Sequence, residues 1–104
     1  MKLWYVYNMT NKPNGVLYIG VTNNIDERVK EHKLKVYPKS FTARYNCGKL
    51  VYFEEYENGL IAKKREKQFK KWKRNSKIEL IEEMNPNWTD LSLNWNLNFN
   101  KIRE

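Results

Sequence analysis

The stretch LWYVYNMTNKPNGVLYIGV, residues 3–21, holds two runs of aromatic and β-branched residues around a turn-forming core of Pro13, Asn14 and Gly15. Alternation of Trp4 and Val6 against Tyr5 and Tyr7, then the turn, then VLYIGV reads as a β-hairpin. The strand period of two puts Tyr5 and Tyr7 on one face, and puts Tyr18 on the same face as Gly20 at the end of the hairpin away from its turn. Tyrosines therefore stand opposite a gap that glycine leaves.

Working outward, Asn24 followed by Glu27 makes a capping box that opens a helix over about 25–35, with Ile25, Val29 and Leu34 facing inward. Residues 36–48 carry Pro, Ser, Asn and Gly and read as a loop anchored to the core by Phe41 and Tyr45. Lys39, Phe41, Arg44 and Tyr45 of that loop are available to nucleic acid as well. KLVYFEEYE reads as a third strand between Gly48 and Asn58-Gly59. A helix over about 60–74 follows, its apolar stripe made by Ile61, Ala62, Phe69 and Trp72. Asn75-Ser76 then breaks it, and Ser76 with Glu79 predicts a second capping box opening a short helix over 77–84. Trp88, Leu91 and Leu93 are expected to pack back on the body, and residues 94–104 to be weakly ordered. The order is β-β-α-β-α-α, an α+β sandwich-like class with a small three-stranded mixed or antiparallel sheet flanked by helices. One domain over 1–91 and a tail over 92–104 are expected.

Composition narrows the function. The chain has 104 residues, 20 Lys and Arg against 12 Asp and Glu, one Cys and one His. A single Cys excludes a disulfide framework, and one Cys with one His cannot build the usual four-ligand zinc site. No apolar run approaches the roughly 20 residues that span a bilayer, and the start lacks a signal-peptide pattern, so the expected address is the cytoplasm and no membrane partner is expected. The segment Lys63 to Lys77 holds nine basic residues and one acid, Glu66, while the remaining residues carry eleven of each sign. The excess positive charge is thus local, and it marks a polyanion-binding surface rather than a uniformly basic protein. Glu66 lies at the edge of its helix's apolar stripe among lysines, where it reads either as a partner in helical ion pairs or as a hard-metal ligand on a phosphate surface. Arg28 and His32, four apart, stand one above the other on the first helix. No GxxxxGK[ST] loop and no GxSxG elbow is present, and Cys47 reads as incidental.

Together these residues resemble the GIY-YIG nucleases. Tyr5-Val6-Tyr7 stands where the GIY element falls, Tyr18-Ile19-Gly20 matches YIG literally, and Thr22, Asn24, Arg28 and His32 follow the family's downstream order. The segment Arg65-Glu66-Lys67-Gln68, with Lys70, Trp72 and Arg74, is similar to the acidic helix of small stand-alone bacterial members related to the nuclease domain of the DNA-repair excinuclease. So is the stretch from Asn85 to Leu91. The glycine of GIY is Tyr5 here, while its tyrosine is retained as Tyr7.

The resemblance implies metal-dependent hydrolysis of a DNA phosphodiester, structure-dependent or weakly sequence-specific, of the kind used in repair or recombination. It implies Glu66 as ligand of a single Mg²⁺ or Mn²⁺ and Tyr7 as general base with Tyr18 as a second hydroxyl, or the two in reverse order. A tyrosine is about one part in a thousand ionised at pH 7, so the site is expected to lower the pKa of the base, with Arg28 doing so and neutralising the transition state. His32 would hold water or phosphate. Lys63, Arg65, Lys67, Lys70, Lys73 and Arg74 would carry the nucleic-acid backbone, in a chain expected to be monomeric, with a protein partner as a source of targeting. The alternative is a non-catalytic or partner-dependent nucleic-acid-binding module of the same fold.

Overall fold

A computed structural model describes residues 2–95. The hairpin forms as read: β1, Trp4–Thr10, runs antiparallel to β2, Leu17–Thr22. Thr10 Oγ1 ties the turn together by donating to the carbonyls of Lys12 and Val16. Then come α1 (Ile25–Leu34), α2 (Phe41–Arg44), β3 (Lys49–Tyr56), α3 (Gly59–Lys71) and α4 (Arg74–Met84). β3 also pairs antiparallel to β1, giving a wholly antiparallel sheet in the order β2-β1-β3. The β-β-α-β-α-α order therefore holds, with one short helix added inside the segment read as a loop.

α1 starts where its cap requires. Asn24 Oδ1 accepts from the N–H of Glu27, and Asn24 N–H in turn donates to Thr22 Oγ1 at 3.0 Å. The helix ends at Lys35, which takes a left-handed backbone with φ 53° and closes back on the carbonyls of Glu31 and His32.

Two apolar layers cover the sheet. On one face Tyr7, Met9 and Leu50 pack with Ile25 and Val29 of α1 and with Cys47. On the other, Val6, Ile19, Val51 and Tyr52 pack with Ala62 and Phe69 of α3, Ile81 of α4 and Trp88. Both Val51 and Tyr52 join this second layer because the β1–β3 register slips between Asn8 and Met9, a bulge that breaks the strict alternation. Trp88 is clamped by its indole N–H to Glu82 at 2.7 Å, and Leu91 N–H donates to the Leu50 carbonyl, so residues 85–91 do return to the body.

Several local expectations are corrected. α3 ends at Lys71, short of the expected Arg74, because Trp72 and Lys73 are extended and Arg74 reaches across to the hairpin turn, donating to the carbonyls of Asn14 and Gly15 at 2.7 and 2.6 Å. α4 consequently begins at Arg74, which puts Ser76 inside the helix and cancels its predicted cap; no side chain caps this end. Phe41 and Tyr45 do not anchor their segment in the core but lie exposed, as do Leu34, Ile61 and Leu93. Trp72 is a lid over Phe69, not core. Of the tail, residues 92–95 turn back so that Trp95 packs edge-on against Phe53, and residues 96–104, where weak order was expected, lie outside the described residues. Among the described residues no helix is long and apolar enough to cross a membrane.

One buried group works against the fold. Asn8 faces the second layer, wholly buried opposite Ile19 and Tyr52, and neither its amide nitrogen nor its oxygen meets a hydrogen-bond partner among the described residues. A buried amide left unpaired costs about 1–3 kcal/mol. Asn8→Val, apolar and suited to a strand, is expected to raise unfolding stability by about 1 kcal/mol, read as a higher denaturant midpoint at unchanged slope.

Candidate active site

The hairpin and α1 bring four of the five expected catalytic side chains to one point. Tyr7 on β1 pairs directly with Gly20 on β2, and its ring lies over the glycine. A Cβ at Gly20 would stand 2.6 Å from the Tyr7 hydroxyl oxygen and 2.9 Å from Tyr18 Cε2. The missing side chain is thus what admits both tyrosines. Gly20→Ala forces a fully buried ring to move, since an approach under 3.0 Å cannot stand. This substitution is expected to cost about 1–3 kcal/mol of stability and, by misplacing the hydroxyls, about a hundredfold in activity. Thermal unfolding and initial rates read the two separately.

The Tyr7 hydroxyl meets His32 Nε2 at 2.9 Å, and His32 Nδ1 lies 2.8 Å from Thr42 Oγ1 of α2. The Arg28 guanidinium and the Tyr18 hydroxyl lie close enough to the Tyr7 hydroxyl to act on its ionisation, Arg28 favouring the phenolate and Tyr18 opposing it. Tyr18 also packs on the imidazole, ring centroids 5.3 Å apart. Arg28 is aimed by Glu31, one turn along α1, whose Oε1 accepts from Nη1 at 2.9 Å and whose side chain is 2% exposed.

Burial sets the protonation states. It pushes the His32 pKa down to about 4, with the Arg28 charge adding to the effect, so the imidazole is neutral at pH 7 and carries one N–H. In the tautomer that carries its proton on Nδ1, that proton goes to Thr42 and Nε2 is left to accept the Tyr7 O–H. The Tyr7 pKa is raised, first by burial and next by Tyr18. Arg28 opposes both and is outweighed. The expectation that Arg28 lowers this tyrosine is therefore right for its own contribution and wrong for the sum. Tyr7 is wholly buried, whereas Tyr18 lines an open groove.

That groove runs along β2, an edge strand of the sheet, and is lined by Leu17, Tyr18, Ile19, Phe41, Lys70 and Lys77. It is where the two faces of the sheet meet. Glu66 of α3 reaches it through Lys70, whose Nζ stands 2.9 Å from Glu66 Oε2. Among the described residues no three His, Cys, Asp or Glu side chains gather into a metal cage. Glu66 is a single carboxylate, and in this structure its charge is met by the Lys70 ammonium one helical turn along.

The expected backbone-binding residues divide. Lys67 and Lys73 are exposed on α3 and at the start of α4, Lys70 is on the groove, and Lys63 lies over the Trp4 ring at 5.0 Å. Arg65 is turned away. Its Nε and Nη2 grip Glu54 of β3 at 2.9 and 2.8 Å, and the same carboxylate accepts from Tyr52 and Tyr56. Arg74 holds the hairpin turn. Sequence reasoning missed Glu31 and Thr42. Glu31 was findable three residues after Arg28 on the same helical face, whereas nothing local marks Thr42 as the partner of His32.

A family model described as the GIY-YIG catalytic domain matches the sequence over residues 3–79, the span that holds these side chains. The chain belongs to the GIY-YIG family. It is 42% identical over 81 residues to a UPF0213 protein of Clostridium perfringens, covering 74% of this chain and 81% of that one. A UPF0213 protein of Syntrophus aciditrophicus is 35% identical over 79 residues, 76% of this chain and 87% of its own. No solved structure gives a significant match. In this GIY-YIG member Thr22 and Asn24, read from the family pattern, have a visible local task, since they cap the helix that carries Arg28 and His32.

Proposed function

We propose that this chain is a metal-dependent endonuclease that hydrolyses a DNA phosphodiester in the groove beside Tyr18. The observation that carries the reading is the convergence of two tyrosine hydroxyls, a guanidinium and a neutral imidazole at one point next to a cationic groove. Tyr18, on the groove, orients the attacking water and takes its proton as it gives its own to Tyr7, and the buried Tyr7 passes its own to His32 Nε2. In this relay no tyrosine has to be ionised beforehand, which answers the raised pKa of Tyr7. Thr42 holds the imidazole so that Nε2 faces Tyr7. Arg28, aimed by Glu31, meets the phosphate and the charge that develops on it. Glu66 would hold the single Mg²⁺ or Mn²⁺, and when bound that ion neutralises charge on the phosphate and on the leaving 3′ oxygen.

Lys63, Lys67, Lys70 and Lys73 would carry the polyanion backbone, a sequence-independent attraction that weakens as salt rises. Structure-dependent cutting, as in repair or recombination, follows because the described residues offer no separate base-reading helix. The test is cleavage and binding of labelled branched, duplex and single-stranded DNAs in Mg²⁺, Mn²⁺ or EDTA. Cutting in either metal but not in EDTA, with binding in all three, is expected. Absence of cutting on the whole panel in both metals, or cutting that survives EDTA, would overturn the proposal.

A further inference from the structure

Beside the tyrosine pair two exposed rings, Phe41 and Tyr45, stand in a row with the half-buried Tyr18, and core packing does not account for those two. α2 turns Thr42 and Ala43 inward, so Phe41, Arg44 and Tyr45, three and four residues apart, share its outward side. Phe41 is 42% exposed and Tyr45 45%. Their ring centroids lie 4.7 Å apart, and Phe41 continues the row to Tyr18 at 6.1 Å. The Arg44 guanidinium sits 5.9 Å over the Tyr45 ring.

The row is held firmly. Ser40 Oγ accepts from the N–H of Ala43, Thr42 is bonded to His32, and Cys47 N–H donates to the Thr42 carbonyl at 2.8 Å. The same imidazole that accepts the Tyr7 hydroxyl thus fixes the position of the rings. Across the groove stand Lys70, paired with Glu66, and Lys77, whose Nζ donates to the Lys70 carbonyl at 3.2 Å.

Exposed flat rings rimmed by cations match one kind of ligand. A base inside a duplex is already stacked on both sides, so only an unpaired base offers these rings a free face, while the cations follow its phosphates. An apolar protein surface fits the rings but not the rim of Arg44, Lys70 and Lys77, nor a chain of formal charge +8. We infer that Phe41 and Tyr45, continued by Tyr18, form a stacking ledge for unpaired bases, so that the nucleic acid bound here is single-stranded or locally unpaired. The inference names the substrate class of the nuclease site and rests on that reading.

The test is fluorescence anisotropy of a labelled oligothymidylate and of a blunt duplex of equal length, in EDTA so that nothing is cut. Wild type is expected to favour the single strand. Phe41→Ala and Tyr45→Ala are each expected to weaken single-strand binding about tenfold, within the range for loss of one stacked base, with duplex binding unchanged. Phe41→Trp keeps the affinity, and oligothymidylate quenches its added fluorescence relative to wild type. Equal losses on both ligands, no loss at all, or a wild-type preference for duplex would overturn the ledge. Retained duplex binding certifies folding, and Tyr45→Ala, whose ring contact is with Phe41, carries the test if Phe41→Ala unfolds. Metal-dependent cutting is scored apart. Single-strand preference lost on ring truncation in a protein that cuts nothing upholds the ledge and fells only the nuclease reading, whereas cutting by a protein whose binding ignores the rings fells only the ledge.

Discussion

Tyr7→Phe is expected to lower cleavage about a thousandfold, inside the span that a positioned acid or base contributes, and to leave DNA binding as it was. The substitution removes one oxygen and keeps the ring that fills the space over Gly20. What it breaks is the path from Tyr18 to His32 Nε2, at present closed by a 2.9 Å hydrogen bond. If the two residues act as one unit, His32→Asn is expected to cost a similar factor and the double variant little more than either. Full activity in Tyr7→Phe would dismiss the relay and leave Tyr18 alone as base.

The His32 pKa in the fold is about 4, below its ordinary 6.5, so the imidazole is free to accept a proton at any pH well above 4. The wild-type rate should therefore lose its His32-dependent part only as pH falls through about 4. Stability follows the same group, since below pH 6.5 the unfolded chain binds a proton that the buried imidazole refuses. Unfolding free energy is thus expected to fall as pH drops from 6.5 towards 4, and less so in His32→Asn, as urea titrations at several pH values would show.

Glu66→Gln is the second large effect expected, a loss of cleavage of about a thousandfold or more with DNA binding in EDTA retained or tightened. The amide is isosteric but supplies no full negative charge, and a hard divalent ion bound through one protein carboxylate loses most of its hold on the chain. Lys70, freed from its 2.9 Å pairing with Glu66, then offers its full charge to phosphate, which is why binding should not weaken. Mn²⁺ binding followed by its paramagnetic signal gives a readout independent of turnover. Unchanged Mn²⁺ affinity and cutting in Glu66→Gln would remove Glu66 from the site.

Much of the site was legible because its signals are periodic and short in range. Strand alternation put Tyr7 and Tyr18 on faces that meet over Gly20, and the i, i+4 rule stacked Arg28 on His32. The Asn24 cap set the start of α1 to the residue. Other elements failed for identifiable reasons. α2 is four residues long, too short to show any helical period, so its exposed rings were read as anchors. Arg65 belongs to a basic run by sequence but to Glu54 by geometry, and Ser76 lost its capping place once Arg74 found the hairpin carbonyls.

The sequence by itself determined which side chains are present and, through local periodicity and caps, the order of strands and helices, the tyrosine faces over Gly20 and the charge of the 63–77 segment. Only the tertiary structure decided how those side chains behave. Burial raised the Tyr7 pKa against Arg28 and held His32 neutral, Thr42 and Glu31 fixed the His32 and Arg28 side chains, and the packing of α3 beside β2 brought Lys70 to the groove of Tyr18. The physical reason is that desolvation and cross-element hydrogen bonds depend on what surrounds a group in three dimensions, and neighbours along the chain supply only a small part of that surrounding.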